Sequence, residues 1–264
     1  MTKARRSSRS AKGRPPKPAA RASRGGVEHP LITTVIFDLD DTLYDCFGQR
    51  VRTAHLFAAV AMAEAGLPAA VKEIFHVRMQ AYEEDPQLAH IDKRVCEHFH
   101  VPAGERDRLT RISRHAFFTT PVGKLTLFPG SLEVLRGVKR QGVRVFVVSF
   151  GDPATQRAKV ASLGLDRESS IDHIFYADVS NVITKEAVFR SILRNAESDP
   201  KRVLVVGDRP SSEIKAGKAL GMHTVRLRGG EFQRLKARDA GEQADFEISK
   251  IDAVLKLPFR FGRA

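Results

Sequence analysis

The chain has no tryptophan among its 264 residues and only two cysteines, Cys46 and Cys96. Two thiols outside any zinc-like spacing exclude a disulfide framework and fit a reducing, cytosol-like compartment. No apolar run approaches the roughly 18 residues a membrane helix needs. The richest, Val143 to Phe150, is strand-length and contains Arg144. A cytoplasmic protein without a membrane partner is therefore expected. Acid is nearly missing from residues 1–28, which hold nine Lys or Arg and the single acid Glu28. The remaining chain carries 35 basic and 30 acidic residues, so the formal charge of +13 is concentrated in the first tenth of the protein.

Large apolar residues are also scarce before Val27. A segment that cannot bury surface cannot offset its ordering entropy, so residues 1–30 read as a disordered basic arm. The arm lacks the apolar stretch of a secretory signal, which argues against a twin-arginine role for Arg5-Arg6. Its Arg/Ser bias fits a transit peptide, so organellar import stays open, although Pro15, Pro16 and Pro18 would break an amphipathic helix. Lys12-Gly-Arg-Pro-Pro-Lys17 resembles an AT-hook. The preferred reading is a solubilising or nonspecific polyanion-binding arm, with nucleic acid a candidate partner through residues 1–28.

The remainder is patterned. Ile32 to Phe37 reads as a first strand. From Phe47 to Phe118 the period is helical, with Val51, Ala54, His55, Ala58 and Ala59 on one face and Val71, Ile74, Phe75 and Val77-Arg78 on another. Gly66-Leu-Pro68, Asp85-Pro86 and Val101-Pro-Ala-Gly104 separate the helices. About 70 residues are too many for a loop, so residues 47–124 are expected to be an inserted helical cap between core segments 31–46 and 125–258. Thereafter strands and helices alternate. Ser131 is expected to N-cap a helix ending near Gln141. Strands follow at Val143–Ser149, His173–Asp178, Arg202–Gly207 and His223–Leu227, with helices from Asp152-Pro153, Lys185 and Ser211 between them. Residues 228–243 read as a mobile polar loop, and Phe246 to Leu257 as a last strand and helix. The fold class is α/β, a doubly wound parallel sheet.

In such sheets ligands sit beyond the carboxyl ends of the strands. Asp38 and Asp40 end the first strand. Side chains two apart on a strand point the same way, roughly 6 to 7 Å from each other, and paired carboxylates repel unless a cation or shared proton separates them. The alternative is a polar turn in which Asp41 or Thr42 caps a helix. Ser149, Asp178, Lys185, Asp208 and Glu213 fall at the same edge. Acids, a hydroxyl and one lysine suit phosphoryl transfer, with a hard cation bridging carboxylates and phosphate.

These residues resemble the four motifs of the haloacid dehalogenase-like hydrolases: Asp38-Leu-Asp40-Asp-Thr42-Leu43, Ser149, Lys185, and Gly207-Asp208-Arg-Pro-Ser-Ser-Glu213. The resemblance covers residues 32–257, and the helical insert is similar to the family's first-type cap. It implies a Mg²⁺-dependent phosphatase of small phosphorylated metabolites, with Asp38 as nucleophile and Asp40 as acid and base. Thr42, Ser149 and Lys185 would bind the phosphoryl group. The Asp38 carboxylate, the Asp40 backbone carbonyl and Asp208 would hold the metal, supported by Glu213. Asp40 argues for phosphate chemistry over dehalogenation, which needs no acid. The wording around Asp38 is similar to nucleotidase-like members, so nucleotides and sugar phosphates are both candidate substrates. Glu213, where Asp is commoner, and Phe150, where Asn is common, depart from the pattern. A phosphomutase on the same scaffold, or a nucleic-acid-associated protein dominated by its arm, are the competing readings. Cys46 reads as an unreactive thiol. His76, His90, His98, His100 and His115 read as packing or surface residues, and Arg50, Arg52, Lys93 and Arg94 as a solvated helix face.

Overall fold

A computed structural model describes residues 29–178 and 183–263. The disordered arm expected over residues 1–30 falls almost wholly outside them. Six parallel strands form the main sheet in the order β4-β3-β2-β5-β6-β7. They are β2 (Thr34–Asp38), β3 (Arg144–Gly151), β4 (His173–Asp178), β5 (Val203–Gly207), β6 (His223–Leu227) and β7 (Phe246–Ile248). A two-residue pair, β1 (Leu31–Ile32) with β8 (Arg260–Phe261), lies beside it. Every residue of β2 and β5 is buried, as expected for central parallel strands covered on both faces.

The two faces follow from the period of the strands. Val35, Phe37, Val145, Val147, Leu204 and Val206 pack with Val134, Leu135 and Val138 of α5 (Ser131–Arg140) and Val160 of α6 (Pro153–Ser162). Ile36, Val148, Val203 and Val205 pack with Val188, Phe189 and Ile192 of α7 (Lys185–Asn195) and Ala216 of α8 (Lys215–Ala219). Burying a side chain such as Phe37 contributes roughly 1.5–3 kcal/mol. Several such residues on both faces of β2 hold in place a strand that ends in an aspartate.

Between β2 and β3 run α1 (Arg52–Glu64), α2 (Val71–Glu84), α3 (Leu88–His98) and α4 (Ala103–Thr119). Helix α1 packs on α2 and α4, and α2 on α3. Ala59, Met62, Ile74, Val77, Val95 and Leu109 form an apolar cluster of their own. A π-helical turn, Phe47–Val51, leads into α1. Gln49 returns the segment to the sheet, its amide donating to Thr126 O at 2.9 Å while Thr126 N donates back at 2.8 Å.

Several expectations are corrected. Gly130, in a left-handed conformation (φ 92°), caps α5, and the Ser131 hydroxyl instead donates to Leu43 O at 2.9 Å. The helix expected from Ser211 begins as a π-turn, Pro210–Ile214, because Glu213 turns back to accept from Arg209 N. The final helix is a 3-10 turn, Ile251–Lys256. Residues 228–243 are not a free loop: the Arg226 guanidinium donates to Phe232 O and Leu235 O, and Glu231 N donates to Asp41. Arg50 is buried rather than solvated, with Nε unpartnered. Lys93 and Arg94 are exposed, as expected of a solvated face, and pair with Glu97 and Glu84.

Candidate active site

Four elements converge at the carboxyl edge of the sheet. Asp38 is the last residue of β2 and sits in register with Val148 of β3, one position before Ser149. Asp208 follows the last residue of β5. Lys185 is the first residue of α7, whose N-cap Thr184 accepts from Ala187 N at 3.1 Å. Glu213 lies in the π-turn after Asp208. A side chain at Gly207 would collide with the Glu213 carboxyl, so glycine is what admits it.

Lys185 Nζ donates to Asp38 Oδ1 at 2.5 Å and to Glu213 Oε2 at 2.8 Å. Carboxylate oxygens of Asp38, Asp208 and Glu213 lie within 4.8 Å of one another, and all three residues are buried. Burial, the nearby Glu213 and Asp40 charges, and an incomplete offset by Lys185 push the Asp38 carboxyl up to about 7. Burial and the Glu213 and Asp38 charges raise Asp208 well above the carboxylate range. Burial opposes ionisation of Glu213 too, but Lys185 outweighs it and holds the carboxyl low.

Three carboxylates against one ammonium leave two negative charges when all are ionised. That deficit is the charge of one divalent cation, and oxygen-only donors suit a hard one. The neighbouring polar atoms are incomplete in the same sense. Among the described residues, Asp208 Oδ2, Ser149 Oγ and Thr42 Oγ1 are buried without a partner. Each such vacancy costs roughly 1–3 kcal/mol, so a site that retains three is built for partners from outside the chain. The residues present fit a divalent cation together with an oxyanion.

Every site residue expected from the sequence falls at this edge, but two are disposed differently. Glu213, expected in support, is inside the carboxylate cluster. The Asp40 carboxylate is turned away from it, toward Lys159 of α6, whose Nζ lies 2.8 and 3.0 Å from its two oxygens. Burial works against an ionised Asp40, yet the Lys159 charge outweighs it and keeps the carboxyl below its usual range. Tyr44 and Gln156 also donate to Asp40. Asp41 lies in the turn after β2 and is not the N-cap residue of a helix, which is Cys46 for Phe47–Val51; its carboxylate accepts from Phe47 N at 3.0 Å and Glu231 N at 3.1 Å. It thereby joins the entry to α1 with the segment after β6. Burial raises the Cys46 thiol well above its normal value, consistent with an inert role.

Lys159, Tyr44, Gln156 and Glu231 were not singled out by the sequence. Lys159 lies 119 residues from Asp40, on a helix whose pattern marks it only as a charged position. A cavity of about 270 Å³ opens on the cluster, with Phe150, Lys159, Arg209, Glu231 and Phe232 among its walls. The Arg209 guanidinium stacks over the Phe232 ring at 4.5 Å.

The model of the haloacid dehalogenase-like hydrolase family matches residues 32–221. A glyceraldehyde 3-phosphate phosphatase of Methanopyrus kandleri is 27% identical over 243 residues, covering 86% of this chain and 99% of the relative. The enzyme of that name from Pyrococcus furiosus is 25% identical over 236 residues, covering 86% and 92%. Among solved structures, a predicted phosphoglycolate phosphatase from Haemophilus somnus superposes with a TM-score of 0.60 at 19% identity, covering 86% of this chain and 97% of its own. At that identity the likeness speaks for the fold.

Proposed function

The chain belongs to the haloacid dehalogenase-like hydrolases, and on that premise we propose that it is a Mg²⁺-dependent phosphatase of small phosphate monoesters, of the triose and sugar phosphate class. The observation that carries this reading is the buried Asp38–Asp208–Glu213 cluster, two charges short of neutrality, with unpartnered hydroxyls and Lys185 at the same edge. The named activities of the relatives support the substrate class. The cavity also favours it. At about 270 Å³ it falls below the range of roughly 300–1,000 Å³ usual for larger ligands, which favours a sugar phosphate of a few carbons over a nucleotide.

The Asp38 carboxylate attacks phosphorus in line, forming the Asp38–phosphate bond as the ester P–O bond breaks. The electron pair leaves on the ester oxygen, which takes a proton from Asp40 in its protonated form, a form that the negative charge of the bound ester favours. Asp40, now ionised, takes a proton from water as water attacks the same phosphorus, and the bond to Asp38 breaks to restore the carboxylate. Lys185, Ser149 and Thr42 hold the non-bridging oxygens. Lys185 already neutralises part of the Asp38 charge, which lowers the repulsion between carboxylate and phosphate. The Asp38 carboxylate, the Asp40 carbonyl and Asp208 would hold Mg²⁺, with Glu213 anchoring Lys185 beside it. When bound, the ion supplies charge neutralisation for the transferring group. Helices α1–α4 serve as the cap over the cavity, entered through the Phe47–Val51 turn that Asp41 ties to the core.

The test is phosphate release from glyceraldehyde 3-phosphate, other sugar phosphates and nucleoside monophosphates, with Mg²⁺ or with EDTA, in wild type and Asp38→Asn. Turnover of the sugar phosphates that needs Mg²⁺ and disappears in the variant is expected. Equal rates in the two proteins would refute Asp38 as nucleophile. Preference for nucleotides would refute the substrate class.

A further inference from the structure

Asp40 is gripped by more donors than a proton-transfer carboxylate needs. Lys159 Nζ donates to Oδ1 at 3.0 Å and to Oδ2 at 2.8 Å. The Tyr44 hydroxyl donates to Oδ1 at 2.8 Å. Gln156 Nε2 reaches Oδ2 at 3.3 Å. An ionised carboxylate has about four lone-pair sites, and these four contacts fill them. As it stands Asp40 has no site left for a proton, so one contact must open during the reaction.

The four contacts are unequal. Burial does not separate the donors, since Tyr44, Lys159 and Gln156 are all buried, but bond length does. Gln156 is the weak member. Its distance to Oδ2 lies beyond the usual 2.7–3.2 Å for N–H···O bonds, and the same Nε2 makes a better bond to Phe150 O at 2.9 Å. Releasing Oδ2 therefore costs Gln156 little. Oδ1 holds two well-formed bonds and has nothing to release. Gln156 and Lys159 stand three apart on α6, on one face a turn apart, so a single helix delivers both the firm donor and the weak one.

The clamp also answers a charge problem. Asp38, Asp41 and Glu231 share the cavity with Asp40. The Lys159 charge offsets their repulsion of an ionised Asp40 and holds its carboxylate in one orientation.

We propose that Lys159 is the positioning residue for Asp40: it fixes the carboxyl so that Oδ1 stays saturated while Oδ2, on giving up its weak Gln156 contact, is the oxygen that carries the proton. In the first half-reaction the proton on Oδ2 passes to the ester oxygen as the P–O bond breaks toward it. In the second the ionised Oδ2 takes a proton from the attacking water. The inference rests on the reading of Asp40 as acid and base.

The test compares kcat/KM, which reports on events up to departure of the alcohol, for two esters. Glycerol phosphate has a leaving group that needs a proton; p-nitrophenyl phosphate has one that does not. Lys159→Met is expected to lose about 100-fold on glycerol phosphate, within the range of general acid catalysis, and less than about threefold on p-nitrophenyl phosphate. Lys159→Arg, which restores a cation and two donors, should recover at least about tenfold of the loss. Inhibition by inorganic phosphate should stay as in wild type. Lys159→Gln provides the same comparison if the Met variant does not fold, with urea midpoints as the check. Equal losses on both esters would make Lys159 merely structural, and a rise in KM alone would make it a substrate contact; either overturns the proposal. Asp40→Asn separates this from the underlying reading. If that variant loses rate equally on both esters while Asp38→Asn is inactive, Asp40 is not the acid and the proton assignment itself falls.

Discussion

Among the buried polar clusters of the described residues, one among the helices and one at the sheet edge differ in whether the chain completes them. In the helical segment Arg78 is fully buried and donates to Asp92 Oδ1 at 3.1 Å and Ser113 Oγ at 2.8 Å, with His55 Nδ1 at 3.4 Å. Ser113 and Arg114 donate to Asp92 in turn. One buried cation meets one buried anion, and among the described residues Arg78 Nε is the one atom of this network without a partner. At the sheet edge three carboxylates face one lysine, and Asp208, Ser149 and Thr42 each keep an unpartnered atom. Both clusters bear the cost of burying charge. The first recovers it by itself and can fix how α1–α4 pack. The second is left incomplete by the described residues, and that incompleteness is what the proposed function rests on.

The comparison is broken most sharply by mutating an aspartate in each. Asp38→Asn is expected to lower phosphate release by about 10⁴-fold or more, as removal of a nucleophile does, without destabilising the cation-free protein. The sign follows from the raised Asp38 carboxyl. The folded state binds more protons than the unfolded state between pH 3.8 and about 7, so the contribution of Asp38 to stability falls as pH rises through that window. Asparagine removes the ionisation and the penalty, so the variant should match or exceed wild type in urea unfolding at neutral pH. Asp92→Ala should do the reverse. It strands the Arg78 charge and should cost roughly 3–5 kcal/mol in the same urea experiment, with hydrolysis per folded molecule unchanged.

A smaller effect sharpens the contrast. Mg²⁺ at about 100 times its dissociation constant should stabilise the protein by about 2.7 kcal/mol, read as a rise in Tm. Asp208→Asn should abolish that rise and Asp92→Asn should leave it. Smaller again is a pH effect confined to the helices. Burial and the Arg78 charge lower His55 to about 3. The unfolded state therefore binds the extra proton between the ordinary value of 6.5 and about 3. Stability should fall as pH drops below 6.5, with a slope approaching about 1.4 kcal/mol per pH unit from this group. Urea midpoints at pH 7 and pH 5.5 for wild type and His55→Gln measure it, and equal pH slopes would remove His55 from the account.

The parallel sheet was legible because its strands are short apolar runs ending in polar residues, and β4 and β6 begin and end where the sequence places them. The motif residues Asp38, Lys185 and Asp208 were legible because each falls at a strand or helix boundary, and Ser149 because it is the hydroxyl residue after an apolar run in β3. What was not legible depends on side chains meeting from distant positions. Lys159 looks like any charged residue on a helix until the fold brings it to Asp40. Arg78 follows Val77 on the buried face of α2, and only its partner Asp92 on α3 explains a charge there. Glu231 sits in a polar stretch without a period; Asp41 and the neighbouring Gly230, where a side chain would strike the Asp41 carboxyl, bring it to the site.

The central claim is that the sheet-edge cluster carries a transient bond between Asp38 and phosphate. Mixing enzyme, Mg²⁺ and glyceraldehyde 3-phosphate, quenching in acid within one turnover and weighing the peptides tests it directly. A mass increase of one phosphoryl group on the peptide containing Asp38, absent in Asp38→Asn, is the predicted result. Full-rate hydrolysis with no phosphorylated peptide, or with the group on another residue, would contradict it.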